Sequence, residues 1–160
     1  MKHNTLFYLI PVFVLLFTGC TTQDNGSWGD APDFTLKDVN GNVFTLSDNL
    51  GKTVVLDFVT TRCPYCVEEM KDLEKVYDNI GDEVVIVSVV VGGTSDAIRT
   101  VYGEYVDKWS FVIDNKGVYQ SYQVTGVPKI VIIDKGGNII YSNSGLTSYN
   151  TIMSKIKEAR

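Results

Sequence analysis

The sequence predicts an α/β domain with a mixed central sheet flanked by helices, entered through an N-terminal β-hairpin. Three observations predict it. Apolar, β-branched runs recur at residues 53–59 (TVVLDFV), 84–91 (VVIVSVVV) and 130–133 (IVII), as strands buried on both faces do. Between and after these runs the apolar spacing changes to three and four residues, the period of a helix with one buried face. Turn residues separate the segments, as in Asn40-Gly41-Asn42 and Asp134-Lys135-Gly136-Gly137. Alternation of this kind builds layers of helix on sheet.

Each element follows in order. Phe34-Thr35-Leu36 and Val43-Phe44-Thr45-Leu46 alternate apolar and polar residues around Asn-Gly-Asn, a hairpin signal. Residues 53–59 make the first buried strand. Val67, Met70, Leu73, Val76, Tyr77 and Ile80 then recur at helical steps among Glu68, Glu69, Lys71, Asp72 and Lys75, and Gly81 closes the helix. Residues 84–91 read as a central parallel strand. Thr94-Ser95-Asp96 can cap a second helix reaching about Lys108. A short strand at 110–113, a turn at 114–117 and a short helix at 118–122 follow. Strands at 130–133 and 138–141 form a second hairpin, and a helix over 148–159 ends the chain.

The N-terminus reads differently. Lys2 and His3 precede an unbroken apolar run, residues 6–17 (LFYLIPVFVLLF). A bilayer-spanning helix needs about 20 residues, so this run fits a signal-peptide core better than an anchor. Thr18-Gly19-Cys20 follows and resembles a lipoprotein cleavage site, with Phe17 where leucine is usual. That assigns 1–19 to a lipoprotein-type signal, Cys20 to lipid attachment, 20–30 to a polar tether and 31–160 to the folded domain. An ordinary secretory signal and an uncleaved anchor are the alternatives. All three put the domain on the extracytoplasmic side of a membrane.

Bulk properties exclude some functions. The chain has 160 residues and a formal charge of -5, without basic runs, which argues against nucleic acid as a partner. Its single histidine is His3, so imidazole chemistry is absent from the domain.

The chemistry concentrates at Arg62-Cys63-Pro64-Tyr65-Cys66. A zinc clip needs two further cysteine or histidine ligands, and none remain in the domain. A permanent staple over so short a loop constrains little unfolded-state entropy. A C-x-x-C beside a βαβ pattern reads instead as a redox pair. Cys63 lies where strand gives way to helix, and Pro64 suits the first helical turn. The helix N-terminus and Arg62 stabilise a thiolate at Cys63 and lower its pKa, making it the nucleophile. Cys66, one turn on, would resolve the mixed disulfide. Asp57 is the expected acceptor of its proton, because a carboxylate inside an apolar strand is costly without a task or partner. An outward-facing Asp57 is the alternative. Val127 and Pro128 precede the last buried strand. A cis bond there would leave the Val127 backbone open to an incoming peptide, whereas a trans proline would merely open the strand.

Taken together, APDFTL (31–36), GKTVVLDF (51–58), CPYCVEEM (63–70), GVPKIVIID (126–134) and GGNIIYSNSG (136–145) resemble the TlpA/ResA-type thiol-disulfide oxidoreductases, of the wider thioredoxin-like and peroxiredoxin-related group. The resemblance implies a thioredoxin-like fold with an N-terminal hairpin and a central insertion. It also implies Cys63 as attacking cysteine, Cys66 as resolving cysteine, Pro128 as a cis-proline, and Asp57 as the counterpart of thioredoxin's buried acid. Arg62 stands where tryptophan is common, and Lys129 where threonine is common.

The expected function is reduction of disulfides in extracytoplasmic protein partners, cytochrome c maturation being one such setting. Arg62, Pro64, Tyr65, Val127 and Pro128 would contact substrate. No cofactor beyond the cysteine pair and no metal is expected. Electrons would come from a membrane donor, and the chain would act as a monomer. A disulfide-forming oxidase is the nearest alternative. A peroxidase is another: Thr60 lies three residues before Cys63 as in peroxiredoxins, but Leu56 replaces their proline and the only arginines are Arg62, Arg99 and Arg160. A copper chaperone of the SCO type would want a longer cysteine spacing and a histidine.

Overall fold

The computed structural model describes residues 29–160. The expected signal segment, Cys20 and the tether up to residue 28 lie outside the described residues. Gly29 N–H donates to the Gly136 carbonyl at 2.8 Å, and Asp30 Oδ1 accepts from Ile139 N–H at 2.8 Å. The start of the described chain is thus held against the turn of the second hairpin.

The strands are β1 (Thr35–Lys37), β2 (Val43–Thr45), β3 (Thr53–Val59), β4 (Val84–Val91), β5 (Ser110–Asp114), β6 (Lys129–Ile133) and β7 (Ile139–Ser144). The helices are α1 (Pro64–Asn79), α2 (Ser95–Tyr102), α3 (Val118–Ser121) and α4 (Tyr149–Glu158). The main sheet has five strands in the order β5-β4-β3-β6-β7. β3 and β4 run parallel, as do β4 and β5, while β6 is antiparallel to both β3 and β7. The mixed sheet expected from the sequence is therefore present. Its centre is β3, not the more hydrophobic β4. All seven residues of β3 are buried, because it is the middle strand, paired on both edges and covered on both faces. β1 and β2 form their own two-stranded sheet, joined to the main one by a bridge between Asp38 and Val112. α2 and β5 form the insertion between the β3-α1-β4 and β6-β7-α4 halves.

Side chains alternate across β3 and split the core in two. Leu56 and Phe58 join Val87, Val131 and Tyr122 under the first hairpin. Val55 and Val59 join Met70, Leu73, Ile98 and Ile152 under α1, α2 and α4. Asp57 shares the parity of Val55 and Val59, so period two alone turns it toward α1.

Two expectations need correction. α2 stops at Tyr102, because Gly103 follows and the Tyr102 carbonyl accepts from the N–H groups of both Tyr105 and Val106, at 2.8 and 3.2 Å. Tyr102, Tyr105, Val106 and Trp109 remain buried at three- and four-residue steps along this turn, which mimics a longer helix. The buried stripe of α1 is Cys66, Glu69, Met70, Leu73 and Val76, whereas Val67 and Tyr77 are exposed. A short 3-10 turn, Ser47–Asn49, also follows β2; the Asp33 carboxylate fixes its start by accepting from Ser47 N–H and Oγ–H at 2.9 and 2.7 Å.

Candidate active site

Cys63 is the N-cap of α1, with φ -107° and ψ 105°. Its sulfur accepts the backbone N–H of Cys66 at 3.0 Å. Pro64 takes the first helical position, where its missing N–H costs nothing. The cap aims a free helical N–H at the Cys63 sulfur, which favours negative charge there. Cys63 and Cys66 are joined as a disulfide, with their Cα atoms 5.2 Å apart. Cys63 is half-buried and Cys66 fully buried, so an incoming group meets Cys63 first.

Two acids are buried on the α1 side of the sheet. Asp57 is fully buried, and its Oδ2 accepts from Ser88 Oγ at 3.1 Å. Ser88 Oγ in turn accepts from Trp109 Nε1 at 3.0 Å. Glu69, three residues after Cys66 on the same helix face, is 2% exposed. Its Oε1 accepts Thr147 N–H at 2.7 Å. Burial raises Asp57 well above the usual carboxylate range, and the neighbouring Glu69 pushes it the same way. Burial likewise pushes Glu69 up to about 7. Above them, Tyr102 Oη donates to the Thr60 carbonyl at 2.7 Å and ties α2 to the segment leading into Cys63. Burial and the Asp57 charge both raise the Tyr102 phenol, so it stays protonated.

The Val127–Pro128 peptide bond is cis. The Pro128 carbonyl accepts Gly145 N–H at 2.8 Å, and among the described residues no hydrogen bond engages the Val127 backbone. Lys129, unusual after this proline, is buried, and its Nζ donates to the carbonyls of Tyr122 and Gln123 at 2.8 and 3.2 Å. It thereby holds the start of the loop that carries Pro128. Burial lowers the Lys129 ammonium below its usual range.

A shallow groove of about 260 Å³ is lined by Tyr65, Val127, Pro128, Gly145 and Leu146. Tyr65 is 63% exposed and Leu146 47% exposed, an apolar surface beside the disulfide. The structure thus unites Tyr65, Val127 and Pro128. Arg62 and Pro64 are exposed next to Cys63 but do not line the groove. Gly145, Leu146, Ser88, Thr147 and Glu69 were not expected from the sequence. Only Ser88 left a signal there, as the one polar residue of the apolar run 84–91. Removing the apolar rim with Tyr65→Ala and Leu146→Ser together should raise the KM for a protein disulfide by about tenfold, the loss of one or two modest apolar contacts. Steady-state kinetics with insulin measures it, and an unchanged KM would show that substrate docks elsewhere.

Residues 29–142 match the model of the AhpC/TSA family. The chain belongs to the AhpC/TSA family. Among AhpC/TSA relatives, ResA, a thiol-disulfide oxidoreductase of Bacillus subtilis (strain 168), is 30% identical over 143 residues, covering 88% of this chain and 79% of ResA. The thioredoxin-like protein YneN of the same organism is 33% identical over 112 residues, which cover 68% of this chain and 66% of YneN. The crystal structure of the pneumococcal exposed lipoprotein thioredoxin from Streptococcus pneumoniae strain TIGR4 superposes with a TM-score of 0.68. It is 28% identical, and the match covers 79% of this chain and 99% of that one. This AhpC/TSA member is therefore an oxidoreductase of the TlpA/ResA type with a thioredoxin-like fold and a Cys63–Cys66 pair. Among the described residues no cluster of His, Cys, Asp or Glu could hold a metal, and no helix is long and apolar enough to cross a membrane.

Proposed function

We propose that the protein reduces disulfides of extracytoplasmic protein partners by cycling Cys63 and Cys66 between dithiol and disulfide. The observation that carries this is the asymmetry of the pair. Cys63 is reachable at the capped N-terminus of α1, and Cys66 is fully buried one turn on, on the helix face that also buries Glu69. In the reduced protein the Cys63 thiolate attacks a substrate disulfide held in the groove, with the Val127 backbone pairing to the substrate chain. Pro64, Tyr65 and Pro128 shape that contact, and Arg62 flanks it. One substrate sulfur leaves as a thiol. Cys66 then gives its proton to the acid site containing Asp57 and attacks Cys63. The Cys63–Cys66 bond forms, the Cys63–substrate bond breaks, and the second substrate sulfur leaves. A membrane thiol donor returns two electrons. No cofactor beyond the cysteines is required.

A charge argument supports this direction. A redox couple becomes oxidising when its reduced form is stabilised. Here one helical N–H and the flanking Arg62 favour charge at Cys63, whereas burial and the acids buried on the same side of the sheet disfavour charge at Cys66. That balance favours the disulfide and hence a reducing couple. Cys20 carries the lipid that holds the domain at the extracytoplasmic face, and the chain acts as a monomer. The sequence at 18–20 and the likeness to an exposed lipoprotein support this placement. Cytochrome c maturation is one process needing such a reductase.

The test is insulin reduction by the full chain in detergent, with dithiothreitol as donor, and equilibration against redox buffers. A midpoint on the thioredoxin side, about -270 mV, is expected. A midpoint near about -120 mV would make it a disulfide-forming oxidase instead.

A further inference from the structure

We propose that Asp57 and Glu69 act as one acid–base unit, a carboxyl–carboxylate pair sharing a single proton between Asp57 Oδ1 and Glu69 Oε2. This deepens the redox cycle proposed above and rests on Cys66 being the resolving thiol. The geometry carries it. Each acid has one satisfied oxygen: Asp57 Oδ2 takes Ser88 Oγ–H and Glu69 Oε1 takes Thr147 N–H. The other two oxygens, Asp57 Oδ1 and Glu69 Oε2, are buried and have no donor. The two carboxyl groups lie close enough to act on each other, both buried on the α1 side of β3. Two carboxylate oxygens only accept, so a contact between them needs a proton, and one proton satisfies both orphaned atoms.

The surroundings leave no other source of relief. The groups that face or act on the pair are Cys66 and Asp72 of α1, Ser88 of β4, Tyr102 of α2, Trp109 before β5 and the Thr147 amide. None of them is a cation. Lys129 sits on the adjacent strand, opposite Phe58, with its ammonium spent on the Tyr122 and Gln123 carbonyls.

Burial alone would hold a single acid neutral, with no place for the Cys66 proton. With one proton the pair carries a single, shared negative charge and can still accept a second. When Cys66 resolves the mixed disulfide, its S–H proton passes to the pair, giving two neutral carboxyls. The Cys66 thiolate attacks Cys63, the Cys63–substrate bond breaks, and the departing thiolate is protonated as the pair returns its second proton through solvent. Protons and electrons balance, and the first proton never leaves.

Carboxyl-carbon NMR of the full oxidised chain in detergent micelles, titrated with pH, tests this without any substrate. In the native protein the Asp57 and Glu69 side-chain carbons are expected to follow the same two steps. In Asp57→Asn and in Glu69→Gln the remaining acid should lose its proton about one pH unit or more below the upper step of the pair. The Trp109 indole N–H, linked through Ser88 to Asp57, should move with that step. If each carbon instead follows one step of its own and neither substitution shifts the other acid, the pair is not a unit and the proposal falls. Should either variant fail to fold, the native titration alone still separates shared from independent steps. Absent insulin turnover with a shared titration would strike the reductase function and leave the pair standing.

Discussion

Cys63→Ser should reduce insulin turnover to the background of dithiothreitol alone, and Cys66→Ser should halt the cycle with substrate bound covalently at Cys63. The two losses differ because the two sulfurs differ in position. A serine hydroxyl does not ionise near neutral pH and does not open a disulfide, so the first variant never starts. The second attacks normally through Cys63 but has no buried sulfur to complete the exchange. On a non-reducing gel it should run as a mixed species that dithiothreitol releases. Misfolding does not explain the first loss: residue 63 caps α1 through its side chain, and serine is among the preferred residues at that position. The bridge closes over a separation of only three residues, so its removal also costs little chain entropy. Full turnover by Cys63→Ser would reassign the nucleophile.

The oxidised protein is expected to lose on the order of 3 kcal/mol of stability between pH 5 and pH 8. The sign follows from Glu69, whose carboxyl is raised from 4.5 to about 7 on folding. The folded protein therefore binds that proton more tightly than the unfolded chain does. The stabilisation is fully present below pH 4.5 and fades as pH rises through about 7. Each pH unit in that window is worth about 1.4 kcal/mol. Asp57 is raised in the same direction and extends the loss to higher pH. Few other groups titrate in the window: the disulfide cysteines do not, and the chain's one histidine is His3, outside the described residues. Urea unfolding at several pH values measures the slope. Glu69→Gln should remove the Glu69 share of the slope and leave that of the buried Asp57, and a native profile already flat from pH 5 to 8 would show that the acids are not held protonated.

The sequence made the architecture readable because its strands are long β-branched runs and its turns carry Gly, Asn and Asp. The redox pair was readable because C-x-x-C between a strand and a helix has few other uses. Asp57 stood out as a charge inside an apolar strand, and its burial follows from strand parity. Glu69 was hidden for a physical reason. One charged residue beside another on a helix looks like solvated surface, and the wider apolar stripe counted Val67 and Tyr77, which the fold leaves exposed. The true stripe begins at Cys66, and Glu69 falls on it. Leu146 and Gly145 were hidden differently. They reach the groove from the connection between β7 and α4, and only the antiparallel pairing of β6 with β7 sets them beside Pro128. Ser88 and Trp109 meet Asp57 through sheet order, which no local pattern reports. The same pairing places Ser88 opposite Asp57 across β3 and β4.

Everything above depends on a reachable, ionised sulfur at residue 63 with a sheltered one behind it. Alkylation of the freshly reduced protein by iodoacetamide at pH 7, followed by peptide mass mapping over time, tests that most directly. Cys63 should be modified at least about tenfold faster than Cys66, as a capped, half-exposed thiolate reacts before a buried thiol. Equal rates, or a Cys63 that resists the reagent in folded protein, would contradict it.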